Sequence, residues 1–402
     1  MTSLLITNIG ELMTQDREHR VLADAAVVLE GERISWIGAA SAAPAADEEY
    51  DAGGRACLPG WVDSHTHLVF AGDRTAEFEA RMAGQSYAAG GISVTVDATR
   101  RATDEELAQL VTARAAEAAA GGTTYLETKT GYGLDVDEEA RGARIAAKVA
   151  DEVTFLGAHL VPDGWAADDY VQLVTGAMLS AVRPYAQWAD VFCETGAFTP
   201  DQSREVLRAC RDAGLGLRVH GNQLGPGGGV QLAVELEAAS VDHVNYLGRP
   251  DVDALAGSWS SWDSGAGRRG TVATCLPACD LSTRQPLAPA RKLLDAGVEI
   301  AIASNCNPGT SYTTSMGFCV ATAVLQMGLT VHQAVRAATF GGALALHREQ
   351  GNDDDGARAV GSLAVGHRAD LQLFSAPSAT HLAYRPGMQL THAVWRKGIR
   401  VA

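Results

Sequence analysis

The chain has 402 residues, enough for one large domain and a smaller one, and at 47% hydrophobic and 20% charged residues its composition is that of a globular enzyme. Its 32 basic and 48 acidic side chains leave a formal charge of -16, which excludes a general affinity for nucleic-acid backbones or anionic membranes, so an anionic substrate must meet a local cation. No apolar run approaches the roughly 20 residues that span a bilayer and no basic segment leads into a hydrophobic one at the start, so a cytoplasmic protein is expected.

Residues 1–57 read as short strands, with a hairpin signal at Ala26 to Glu30, Gly31-Glu32 and Arg33 to Gly38. Residues 358–402 have the same character, with strand candidates near 361–363, 369–374 and 391–395. The two ends are expected to pair into one small β-sandwich domain. Between them, residues 58–357 alternate strand and helix. Strand candidates run at Val62–His65, Thr123–Glu127, Val153–Ala158, Asp190–Cys193, Gly216–His220, Val241–His243, Thr271–Cys275 and Glu299–Ala303. Capping boxes at Thr103-Asp104-Glu105-Glu106 and Thr199-Pro200-Asp201-Gln202 open helices, and Gly121 and Gly214 close them. Eight such repeats predict a (β/α)8 TIM-type barrel with its active site at the C-terminal strand ends. An open doubly wound sheet is the alternative, weakened by the lack of a Gly-x-Gly-x-x-Gly turn after the first strand. Gly225 to Gly229 has no P-loop lysine and reads as a loop, and the acidic run 351–356 reads as a solvated insertion.

Five of the 11 histidines fall at the ends of these strands: His65, His67, His159, His220 and His243. In an extended segment residues two apart share a face, so His65 and His67 present two imidazoles together. With a third histidine at another strand end they make a metal site, and neutral imidazoles suit Zn or Fe(II) with an open position for water. The 7 cysteines are odd in number and scattered, which argues against a disulfide framework, and Cys275-x-x-x-Cys279 reads as core packing.

Several phrases are more specific. They are Leu58-Pro59-Gly60-Trp61-Val62-Asp63-Ser64-His65-Thr66-His67, continuing to Ala71-Gly72-Asp73-Arg74, then Lys129-Thr130-Gly131-Tyr132-Gly133-Leu134 and Thr154-Phe155-Leu156-Gly157-Ala158-His159. Asp190-Val191-Phe192-Cys193-Glu194, Val219-His220-Gly221-Asn222-Gln223-Leu224 and Asn307-Pro308-Gly309-Thr310 complete the set. Through them the chain resembles the amidohydrolase superfamily and, within it, the imidazolonepropionase family, nearly end to end.

The resemblance implies hydrolytic ring opening of 4-imidazolone-5-propanoate to N-formimino-L-glutamate in histidine degradation, by a homodimer that carries one divalent metal ion, Zn or Fe. It implies His65, His67, His220 and position 305 as the metal ligands. The family has aspartate at 305, whereas this chain has Asn305, whose amide oxygen can coordinate but brings no charge and accepts no proton. His243 matches a candidate general base near the attacking water. Gln223 stands where some relatives carry a glutamate, and it can orient the substrate but not titrate. Arg74 is the implied clamp for the propionate. Tyr87, Tyr132 and His159 match ring contacts, and Asn307, Gly309 and Thr310 match substrate and product contacts. Two other readings stay open: a related hydrolase or deaminase acting on another small heterocycle, and a silent ligand-binding relative.

Overall fold

All eight strand candidates between residues 58 and 357 form strands, with boundaries shifted by one or two residues. The computed structural model describes residues 2–16, 18–84, 91–263, 266–351 and 359–402. Its strands are β1 (Ser3–Met13), β2 (Val21–Glu30), β3 (Arg33–Ala39), β4 (Glu48–Asp51), β5 (Ala56–Pro59), β6 (Trp61–Asp63), β7 (Thr123–Lys129), β8 (Glu152–Ala158) and β9 (Trp188–Cys193). They continue with β10 (Gly216–Gly221), β11 (Ser240–His243), β12 (Trp262–Asp263), β13 (Ala266–Gly267), β14 (Val272–Cys275), β15 (Ile300–Ile302), β16 (Leu371–Phe374), β17 (Thr391–Arg396) and β18 (Ile399–Arg400).

One sheet runs in the order β6, β7, β8, β9, β10, β11, β14, β15, and its pairings from β7 onward are parallel. Strands β7, β8, β9, β11, β14 and β15 are buried at every position, as expected where both faces of a sheet are covered. The seam between the last strand and the first is joined just past their ends. There the Asn305 N–H donates to the His65 carbonyl at 2.9 Å and the His67 N–H donates to the Cys306 carbonyl at 2.9 Å. The result is the eight-stranded parallel barrel that the sequence predicts.

Both capping boxes form. The Thr199 side chain accepts from the Gln202 N–H at the start of the helix Pro200–Asp212, and the Glu106 N–H donates to Thr103 Oγ1 at 3.2 Å.

The second sheet runs β18, β17, β16, β5, β1, β2, β3, with β4 also on β1. The two ends of the chain meet in it, since β5 pairs with β16 antiparallel. Ile6, Ile9, Leu12, Val27, Leu371, Leu373 and Trp395 form its apolar core. The hairpin of β2 and β3 turns at Gly31, whose φ of 56° suits glycine.

The chain divides into two compact units, one of Met1–Asp63, Glu117–Tyr125 and Ser315–Ala402, the other of Ser64–Ala116 and Leu126–Thr314. All seven cysteines are free and buried. No described helix is long and apolar enough to cross a membrane. Tyr87 and the acidic run of Asp353, Asp354 and Asp355 lie outside the described residues.

Candidate active site

The sequence places His65 on a strand, but β6 ends at Asp63 and both His65 and His67 lie past it. Their extended backbone is held from β7. The Lys129 N–H donates to the Thr66 carbonyl at 2.9 Å, the Thr66 N–H donates to Glu127 Oε2 at 3.0 Å, and the Leu68 N–H donates to Thr128 Oγ1 at 2.9 Å. Strand-like alternation therefore persists without a strand. His220 comes from β10 and His243 closes β11, while His159 directly follows β8.

Three imidazoles converge. Nε2 of His67 lies 3.2 Å from Nε2 of His65 and 3.4 Å from Nε2 of His220. Each outer ring is turned by a carboxylate. His65 donates from Nδ1 to Asp242 Oδ2 at 2.6 Å, and Nδ1 of His220 lies 3.0 Å from Asp190 Oδ2. A proton on Nδ1 of His65 leaves its Nε2 as a lone pair among the converging nitrogens. Nitrogens about 3.3 Å apart are what a tetrahedral ion with bonds of about 2.0–2.1 Å requires, so the ring spacing fits such an ion. Burial first, then the neighbouring charges, hold His65, His67 and His243 well below the usual histidine range, which keeps them neutral.

The carboxylates belong to a fully buried charge network. Arg218 Nη2 lies 3.1 Å from Asp242 Oδ2, and Lys129 Nζ lies 2.8 Å from Glu127 Oε1 and 3.0 Å from Asp190 Oδ2. Burial would raise the Asp242 carboxyl, but Arg218 and His65 outweigh it and hold the group well below the carboxylate range. For Asp190, His220 and Lys129 do the same.

Sequence reasoning missed these five residues as a set, although a signal existed. Glu127-x-Lys129 and Arg218-x-His220 put ionisable groups two apart, on one face, inside strands that are buried.

Asn305 has a φ of 52° and is buried, and its Oδ1 has no hydrogen-bond partner among the described residues. That orphaned acceptor, with the convergent Nε2 atoms, suits a bound cation. It lines a cavity together with His67, His220, His243, Gln223 and Arg74. His159, Tyr132, Asn307 and Thr310 complete the wall. Of the residues singled out in the sequence, only Tyr87 lies outside the described residues.

His159 donates from Nδ1 to the Gly131 carbonyl at 2.8 Å, which leaves Nε2 as an acceptor. Burial pushes its pKa down to about 4, so it is neutral at neutral pH. Tyr132 is carried by a loop wrapped around Glu139, whose carboxylate accepts from the N–H groups of Gly131, Gly133 and Leu134 at 2.7–3.0 Å.

Arg74 is buried and its guanidinium meets Glu77, with Nε to Oε2 at 2.8 Å and Nη2 to Oε1 at 2.8 Å. Its Nη1 sits over Gly309, where a Cβ would lie 2.2 Å away. The Asn307 side chain is committed to its own turn, accepting from the N–H groups of Gly309 and Thr310 and donating to the Asn305 carbonyl and Thr310 Oγ1. Gln223 donates from Nε2 towards Cys279 Sγ at 3.8 Å, and its N–H donates to Glu194 Oε1 at 2.5 Å.

Residues 56–399 match the model of the Amidohydrolase family. The chain is 77% identical over 398 residues to an imidazolonepropionase from Arthrobacter sp. (strain FB24), covering 99% of both chains. It is 74% identical over 401 residues to one from Paenarthrobacter aurescens (strain TC1), covering 99% of this chain and 98% of that one. Among solved structures it resembles the atrazine chlorohydrolase of Arthrobacter aurescens TC1 complexed with zinc, with a TM-score of 0.69 at 18% identity over 99% of this chain and 94% of that one. An adenosine deaminase from Xanthomonas campestris with bound zinc gives a TM-score of 0.69 at 20% identity over 99% of this chain and 92% of that one. These structures bear on the fold alone. The chain belongs to the amidohydrolases and, by its full-length identity to them, to the imidazolonepropionase family.

Proposed function

We propose that this chain is a metal-dependent hydrolase that opens the ring of 4-imidazolone-5-propanoate to N-formimino-L-glutamate, a step of histidine degradation. The observation that carries the proposal is the meeting of three Nε2 atoms, two of them from rings that line the same cavity as Arg74. His65, His67, His220 and the Asn305 amide oxygen would hold one divalent ion, Zn or Fe. When bound, that ion would polarise the ring carbonyl and lower the pKa of a water at the open position.

The remaining chemistry belongs to the side chains. The substrate's carboxylate meets Arg74, which has Nη1 left after pairing with Glu77. His159 accepts a ring N–H at Nε2, and Tyr132 packs beside it with ring centroids 5.4 Å apart. Gln223 orients the ring by its amide. Asn307 and Gly309 act by shaping the loop that brings Thr310 to the cavity and leaves space for Arg74. His243, held neutral by burial, takes the proton of the attacking water. Water oxygen bonds to the ring carbonyl carbon, the carbon–nitrogen bond breaks, and the proton passes to the released nitrogen. The domain division 1–57 with 358–402 against 58–357, a homodimer and a cytoplasmic location belong to the same proposal, supported by the family resemblance.

The test is turnover of 4-imidazolone-5-propanoate by the purified, metal-loaded chain beside Arg74→Ala. We expect ring opening by the parent and a rise in KM of at least about tenfold in the variant, the loss of one charge-assisted contact. Turnover of cyclic ureas, guanines or hydantoins with the imidazolone untouched would replace the substrate assignment. An unchanged KM would remove Arg74 from the clamp.

A further inference from the structure

Asp280 is a buried carboxyl, 1% exposed, in the short helix Pro277–Thr283. A ring nitrogen of His243, Sγ of Cys279 and a carboxylate oxygen of Asp280 all lie within 4.8 Å of one another. Oδ2 of Asp280 accepts from the Ala288 N–H at 3.2 Å. No salt bridge reaches it among the described residues. Nδ1 of His243 is buried and lacks a hydrogen-bond partner among those residues, and the His243 backbone has a φ of 84°. A residue with left-handed backbone that carries a buried unpartnered nitrogen and has a ring nitrogen near a carboxyl, in a site whose positions 223 and 305 are amides, calls for a functional reason.

We propose, on the basis of the hydrolase reading above, that Asp280 is a positioning residue that holds the second proton site of His243, in place of the carboxylates that positions 223 and 305 lack. One ring nitrogen of His243 accepts the proton that leaves the attacking water. The other nitrogen passes its own proton to the Asp280 carboxylate, across a distance that one water bridges. As the carbon–nitrogen bond breaks, the path reverses: Asp280 returns its proton to the ring, His243 delivers one to the released nitrogen, and both groups end as they began. Nothing is oxidised or reduced.

Burial pushes the Asp280 carboxyl up to about 7, the range in which a group both holds and releases a proton at neutral pH. The groups that face it are His243 from β11, Cys275 from β14 and Cys279 from its own helix. Burial raises both thiols, Cys279 to about 12, so neither competes for the proton. Arg81 acts on Cys279, and His220, Asp242, Asp190 and Lys129 act on the far side of His243.

The experiment is kcat and KM against pH for the metal-loaded parent, Asp280→Asn and Asp280→Glu, with metal content and circular dichroism recorded for each. In the parent kcat should rise with pH through about 7 as Asp280 ionises. Asp280→Asn should lose that rise and at least about tenfold in kcat at neutral pH, with KM changed less than about threefold, as for a lost acid–base relay. Asp280→Glu should restore part of the rate and the rise. An equal rate and profile in Asp280→Asn would overturn the inference and leave the hydrolase reading intact. A parent without ring-opening activity would remove both. If Asp280→Asn does not fold, infrared titration of the parent decides: a buried carboxylic acid band that disappears as pH passes about 7 supports Asp280, and its absence overturns the assignment.

Discussion

At the scale of single residues, two buried carboxylates stand behind the histidines of the centre. Asp242 accepts from Nδ1 of His65, which fixes that tautomer and makes the ring a better donor, and Asp190 lies 3.0 Å from Nδ1 of His220. Asp242→Asn should weaken metal binding by about 10–100-fold, measured by competition with a chelating dye. It should also cost about 3–5 kcal/mol in denaturant unfolding, because Arg218 is left buried without its counter-charge. An unchanged metal affinity would mean that the Asp242 contact does not govern His65. Asn305→Asp supplies the missing charge directly. It should raise metal affinity and increase kcat by at least about tenfold, roughly 1.4 kcal/mol of barrier. Equal rates at full metal occupancy would show that the amide suffices. Asn305, Gln223 and the histidines were legible in the sequence. Asp242 was not, because a carboxylate beside a histidine in a strand says nothing of its partners until the fold brings Arg218 of β10 and His65 to it.

The element that best explains a sequence phrase is the loop Gly131-Tyr132-Gly133-Leu134. Three of its N–H groups point inward to Glu139, Gly131 has a φ of 112° and Leu134 one of 55°, and the Gly131 carbonyl receives the His159 proton. A Cβ at Gly131 would meet the Leu156 carbonyl at 2.9 Å and Nδ1 of His159 at 3.0 Å. Gly131→Ala should therefore both strain the backbone and tilt His159, with a loss of about 1–3 kcal/mol in stability. KM should rise more than kcat falls. Steady-state kinetics together with amide exchange at Gly133 and Leu134 checks this, and a variant with parental KM would detach the loop from substrate binding. The sequence marked this loop by its glycines, but the buried carboxylate that organises it lies in the helix Val136–Ala146 and reads there as an ordinary first-turn acid.

Across the whole molecule, the buried histidines couple stability to pH. His65, His67, His159 and His243 all have folded-state pKa values below the ordinary 6.5, so the unfolded chain binds protons that the folded one refuses. Their contribution is intact above about 6.5 and is lost as pH falls, for His159 between about 6.5 and 4, by up to about 1.4 kcal/mol per pH unit per histidine. Asp280 runs the other way, since its raised pKa relieves a cost as pH falls through about 7 to its unfolded value. The metal-free chain should lose melting temperature steeply between pH 6.5 and 5, and bound metal should restore it by mass action. A flat profile for the metal-free chain would contradict the neutral, buried state of the four rings. The sequence by itself determined the alternation of strand and helix, the barrel, the paired chain ends and the histidines at the strand ends, because period, capping and turn chemistry are local. Only the tertiary structure decided which carboxylate turns each ring, how Arg74 is held against Glu77 and Gly309, and that Asp280 stands beside His243. Apart from the local Arg74–Glu77 pair, these depend on groups far apart in sequence whose contact is set by strand register and packing.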